Sequence, residues 1–104
     1  MVYKVNITDL ANSELDEITN YFVNNLLNKN AASELIQDFL NQLELLKKNP
    51  YTFSLYPSKL LQKKGYRRFL FSKNYVALYV INEDEKLATI MHIFYARRNY
   101  EKLI

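Results

Sequence analysis

Hydrophobic and polar positions alternate imperfectly at the start of the chain, where Val2, Val5 and Ile7 with Tyr3 predict a short opening strand. Thr8 then offers a capping hydroxyl, and Asp9 puts an acid in the first turn, where the helix dipole favours it. From there the apolar period lengthens. Ala11, Leu15, Ile18, Phe22 and Leu26 keep one stripe on one helical face to about Leu27, and residues 28–30 close it. Asn30 can cap a second helix, in which Ala32, Leu35, Phe39, Leu43 and Leu46 repeat the spacing and Ile36 and Leu40 widen the stripe. Lys47 and Lys48 suit its negative end, and Pro50 forbids continuation. Residues 51–64 read as a loop, with Pro57 and Ser58 as turn formers and Gly65 as a bend. Residues 66–71, 75–82 and 87–95 are β-rich, and the connections between them are short enough to require antiparallel neighbours. The predicted order is β-α-α-β-β-β. This is an α+β fold, with a helical hairpin packed on one face of a small curved, mainly antiparallel sheet. A single domain over residues 1–104 is the expectation, because two domains in 104 residues would each be too short to bury a core.

Composition narrows the class without naming it. Apolar residues make up 49% and charged residues 24%, which excludes disordered and fibrous chains. With no cysteine and one histidine, neither a disulfide framework nor a thiolate metal site can form, so no cofactor or metal is expected. The longest apolar run, residues 75–81, is far below the roughly 18–20 residues a membrane span needs, so no membrane partner is expected and the cytoplasm is the expected compartment.

Charge changes the picture once it is divided by segment. Residues 1–46 hold seven acids and two bases, whereas residues 47–82 hold eight bases and no acid. A stretch of that length without a carboxylate is a strong positive field, fit for a polyanion or an acidic protein. Within it, Arg67 shares strand parity with Phe69 and Phe71, and Arg68 with Tyr66 and Leu70, so the two arginines are predicted on opposite faces. Lys63, Lys64, Arg68, Lys73 and Arg98 are candidate contacts to nucleic acid or another target. His92, read in parity with Ala88, Ile90 and Phe94, is expected as a half-buried structural histidine, with general acid or base work as its functional reading. Arg97, Arg98 and Tyr100 follow the last strand, where an exit loop often carries function.

Few chemistries survive this inventory. The only glycine is Gly65, so there is no phosphate-cradling loop, and one histidine supports no serine triad. Cleavage of RNA by its own 2′-hydroxyl survives, because it needs only positioning, cationic stabilisation and weak acid/base help. Its candidate catalytic residues here are Arg67, His92, Arg97 and Tyr100. Aromatic residues among bases, as in residues 63–69, would also suit base stacking, while the plain reading of Tyr66, Phe69 and Phe71 is core packing.

The chain resembles the RelE/ParE superfamily of bacterial toxins, the growth-arresting halves of type II toxin–antitoxin modules. The resemblance runs through Tyr3-Lys4-Val5 with Thr8 and Ala11, Asn30-Ala31-Ala32, Gly65-Tyr66-Arg67, Asn74-Tyr75-Val76 with Tyr79, and Arg97-Arg98-Asn99-Tyr100-Glu101. It implies the same β-α-α-β-β-β layout and a cognate acidic antitoxin. It also implies one of two targets, the ribosome with its mRNA for RelE-like relatives or DNA gyrase for ParE-like ones. By the resemblance, Arg67 matches a basic residue of the nucleases and Arg97 or Arg98 their C-terminal arginine, and Tyr100 matches an aromatic general acid if the spacing shifts. Three positions depart from that pattern: Phe69 stands where many nucleases carry a second base, Val76 where they carry an arginine, and Tyr95 where a histidine is common. The expected activity is therefore growth arrest, either by metal-independent mRNA cleavage or by gyrase inhibition. The alternative is a non-toxic binding module for nucleic acid or an acidic protein.

Overall fold

The computed structural model describes residues 2–97. A strand, β1 (Lys4–Ile7), leads into helix α1 (Asp9–Asn20), which passes without a break into a π-helical turn at Tyr21–Asn25. Helix α2 (Lys29–Lys48) returns antiparallel to it. A 3-10 turn at Pro50–Thr52 and a five-residue helix α3 (Lys59–Lys63) precede β2 (Arg67–Phe71), β3 (Tyr75–Asn82) and β4 (Leu87–Tyr95). The sheet order is β1-β4-β3-β2. β2, β3 and β4 are antiparallel neighbours, as their short connections require, but β1 runs parallel to β4, which makes the sheet mixed.

Local chemistry accounts for most boundaries. Thr8 caps α1, its Oγ1 accepting from the Ala11 N–H at 3.1 Å. The second helix starts earlier than the sequence suggests: its cap is Asn28, whose Oδ1 accepts from the Ala31 N–H at 3.0 Å, rather than Asn30. Pro50 ends α2, and Asn49 accepts from the Tyr51 N–H to start the 3-10 turn. α3 lies in the stretch read as loop. It is bracketed by a Ser58 cap and by Gly65, where φ is +79°, with the Gly65 N–H on Gln62 O and the Tyr66 N–H on Leu61 O. That pair of bonds is a Schellman ending, which explains the glycine at this one position.

Both sheet faces are dry in part. On the helical side, Ala11, Leu15, Leu35, Phe39, Leu43 and Leu46 meet Phe69, Phe71, Ala77, Tyr79, Ala88, Ile90 and Ile93. Ring contacts such as Phe39–Phe71, centroids 5.1 Å apart, knit this core. On the other side, Val76, Leu78 and Phe94 form a smaller cluster covered by Tyr56, Tyr66 and Ala96. Among the described residues no helix is long and apolar enough to cross a membrane.

Candidate functional site

β2 carries the centre of the acid-free stretch, and its two-residue period separates the arginines as expected. Arg67 pairs with Tyr79 and lies on the helical side with Phe69 and Phe71, whereas Arg68 pairs with Leu78 and lies on the other. Neither guanidinium stands alone. Arg67 donates from Nη1 to the Phe53 carbonyl at 2.6 Å and sits over the Tyr51 ring, 5.1 Å from its centroid. Arg68 lies 5.4 Å from the centroid of Tyr56. These partners come from the segment before α3. It bridges back onto the β2 edge through Leu55 and Arg67 and accepts the Arg68 N–H on Ser54 O.

Lys63 and Lys64 are exposed at the end of α3, and Lys73 is exposed in the β2–β3 turn. Arg97, also exposed, is the last described residue, and Arg98 and Tyr100 lie outside the described residues. Among the described residues, Lys47 is the only base of residues 47–82 in an ion pair, with Glu44 at 3.2 Å. The acids of the helical hairpin therefore leave the remaining bases of this stretch with their charge uncompensated at contact range.

His92 is half-buried, as expected, but its face is not the one its parity suggested. Leu78 pairs with His92 and Tyr79 with Ile90, so Met91 is an extra residue and β4 is bulged there. The bulge reverses parity, placing His92 with Phe94 on the second face and Ala88 and Ile90 on the helical face. Its Nδ1 lies 3.6 Å from Glu14 Oε1, and the same oxygen accepts the Ile93 N–H at 3.0 Å. Arg67 and His92 thus stand on opposite faces, on strands separated by β3, about 10 Å apart across the ladder. Phe69 and Val76, where resemblance to the nucleases would put two further bases, are each 1% exposed in the two separate cores. Glu14, Tyr51 and Tyr56, which hold these three side chains, were not singled out from the sequence. Their positions depend on chain returns that no local pattern encodes.

The family profile described as the ParE toxin of type II toxin–antitoxin system, parDE, matches residues 5–100. The chain belongs to the ParE toxin family. No curated protein matches it significantly by sequence. Among solved structures, this ParE-family toxin is similar to the chromosomal ParDE system from P. aeruginosa, with TM-score 0.72, 21% identity, and coverage of 92% of this chain and 98% of that one. It is also similar to the RelBE2 toxin–antitoxin complex from Mycobacterium tuberculosis (TM-score 0.60, 16% identity, covering 91% and 99%). The archaeal RelE–RelB complex from Pyrococcus horikoshii OT3 matches with TM-score 0.56 at 18% identity, covering 94% and 99%. At these identities the likeness is one of fold, and it agrees with the α+β layout read from the sequence. Family membership makes the chain the toxin of a type II toxin–antitoxin module.

Proposed function

We propose that this ParE-family toxin arrests growth by binding DNA gyrase rather than by cutting mRNA, and that a cognate acidic antitoxin neutralises it. The reading rests above all on the separation of Arg67 and His92. A metal-independent nuclease needs its cations and its proton carrier around one phosphate, and these two groups face away from each other across the sheet. Burial of Phe69 and Val76 supports it, since neither position can present a group to a target. Gyrase works in the cytoplasm, so the reading puts the toxin there too. The acidic antitoxin follows from charge: a strand or helix rich in carboxylates gains long-range attraction to Lys63, Lys64, Arg68 and Lys73 while covering them. The solved relatives named above are themselves described as a ParDE system and as RelBE and RelE–RelB complexes.

One assay pair tests this. Purified toxin added to gyrase and relaxed plasmid is expected to block supercoiling, and added to a translating extract it is expected to leave mRNA uncut in the ribosomal A site. Discrete A-site cuts that disappear in Arg97→Ala, with supercoiling untouched, would overturn the reading in favour of the ribosome-dependent nuclease.

A further inference from the structure

β1 ends at Ile7, opposite Ile90, so the outer edge of β4 beyond that point has no strand beside it among the described residues. α1 runs alongside instead and leaves a groove of about 450 Å³ between helix and strand. We propose that this groove docks a basic segment of a partner protein. It would seat an arginine or lysine side chain between the rings of Tyr21, Tyr75 and Tyr95 and the carboxylates of Glu14 and Glu17.

Charge chooses the occupant. The lining holds two carboxylates and no base, whereas the bases of residues 59–73 lie on or beside β2, α3 and the β2–β3 turn. A polyanion that fits the basic stretch is repelled here, and a cation is drawn in. The rings supply the second half of the site. Tyr75 and Tyr95 pack edge to face with centroids 5.8 Å apart, and tyrosine faces hold cations through their quadrupoles. Burial raises the Tyr75 pKa above its ordinary value, with Tyr95 and then Tyr21 adding to the rise, which places the three phenols in one neighbourhood. Tyr21 begins the π-helical turn, and such insertions change the direction of the side chains that follow and recur at functional sites.

The strand edge supplies the third element. Ile93 turns its N–H outward to Glu14, so the alternation of an antiparallel ladder turns the Ile93 carbonyl and the Tyr95 N–H outward as well. An extended chain can meet both groups while its cationic side chain enters the groove. The site is independent of which target the toxin inhibits.

The test uses the full chain, isotopically labelled, titrated with the blocked peptide Ac-Val-Arg-Val-NH2 and with its citrulline counterpart, which keeps the shape and loses the charge. The arginine peptide is expected to give saturable NMR shifts centred on Glu14, Tyr21 and Ile93 to Tyr95, and the citrulline peptide to bind at least about tenfold more weakly, as loss of a charge-assisted hydrogen bond dictates. Glu17 is exposed, so Glu17→Lys should leave the melting temperature unchanged and abolish the shifts. Tyr95→Leu should weaken binding several-fold. Equal binding of the two peptides, shifts that survive Glu17→Lys, or no saturable shift at the groove would overturn the proposal.

Discussion

Tyr79 is fully buried between sheet and helices, and its hydroxyl donates to the Pro50 carbonyl at 2.5 Å. Burial drives its pKa well above the ordinary range, which keeps the hydroxyl protonated and able to donate near neutral pH. Tyr79→Phe keeps the ring and strands the carbonyl. The expected cost is about 1–3 kcal/mol in chemical denaturation with the slope unchanged. Glu83 behaves in the opposite way at the surface. Lys86, Tyr51 and Tyr3 all donate to its carboxylate and hold its pKa down, from 4.5 to about 2. A depressed carboxylate contributes stability above its unfolded value and loses that contribution as pH falls toward the folded one. The melting-temperature gap between wild type and Glu83→Gln should therefore be constant above about pH 5 and close progressively toward pH 2. Only the Glu83–Lys86 pair of this cluster is local; Tyr3 and Tyr51 reach it through the fold alone, which composition and spacing do not encode.

At the scale of elements, what could be read from the sequence was whatever is encoded within a turn or two. Thr8 announces α1 because its hydroxyl bonds three residues on. The alternation from Arg67 to Phe71 separates the arginines because strand parity is local. α3 escaped because five residues carry no helical period, although Ser58 before it and Gly65 after it are the signals of a start and a stop. The bulge at Met91 has no residue signature, and it alone decides the face of His92. For the same reason the site was half legible. The basic stretch is a property of the sequence, whereas the rings and carbonyl that hold its arginines belong to the returning segment before α3. The β2–β3 turn yields a prediction of its own. Ser72 and Lys73 take φ of 50° and 66° within the three-residue connection between the paired Phe71 and Tyr75, a left-handed region where β-carbons are strained. The Ser72 N–H donates to Asp38 on α2, which helps hold the turn. Lys73→Gly should relieve the strain and stabilise the fold by about 0.5–1 kcal/mol in thermal denaturation.

Viewed whole, the molecule is electrically divided. Bases of residues 47–82 concentrate on β2, α3 and the adjoining turn, and the carboxylates lie mainly on the helical hairpin, two of them in the groove beside β4. Partners that recognise the basic stretch should bind it with strong dependence on ionic strength. For an acidic antitoxin, the association rate measured by stopped flow should fall at least about tenfold between 50 and 300 mM salt while dissociation changes little. Neutralising Lys63, Lys64 and Lys73 together should flatten that dependence.

The parallel pairing of β1 with β4 carries one more consequence. Lys4 finds its register partner only at Leu87, so the first strand made is the last to be satisfied. A contact spanning nearly the whole polypeptide cannot close while its far end is still inside the ribosomal exit tunnel. Until β4 is available, β1 has no strand to pair with. Stalled chains released only as far as β3 should be cut rapidly by protease, and protection should arrive in one step when β4 emerges.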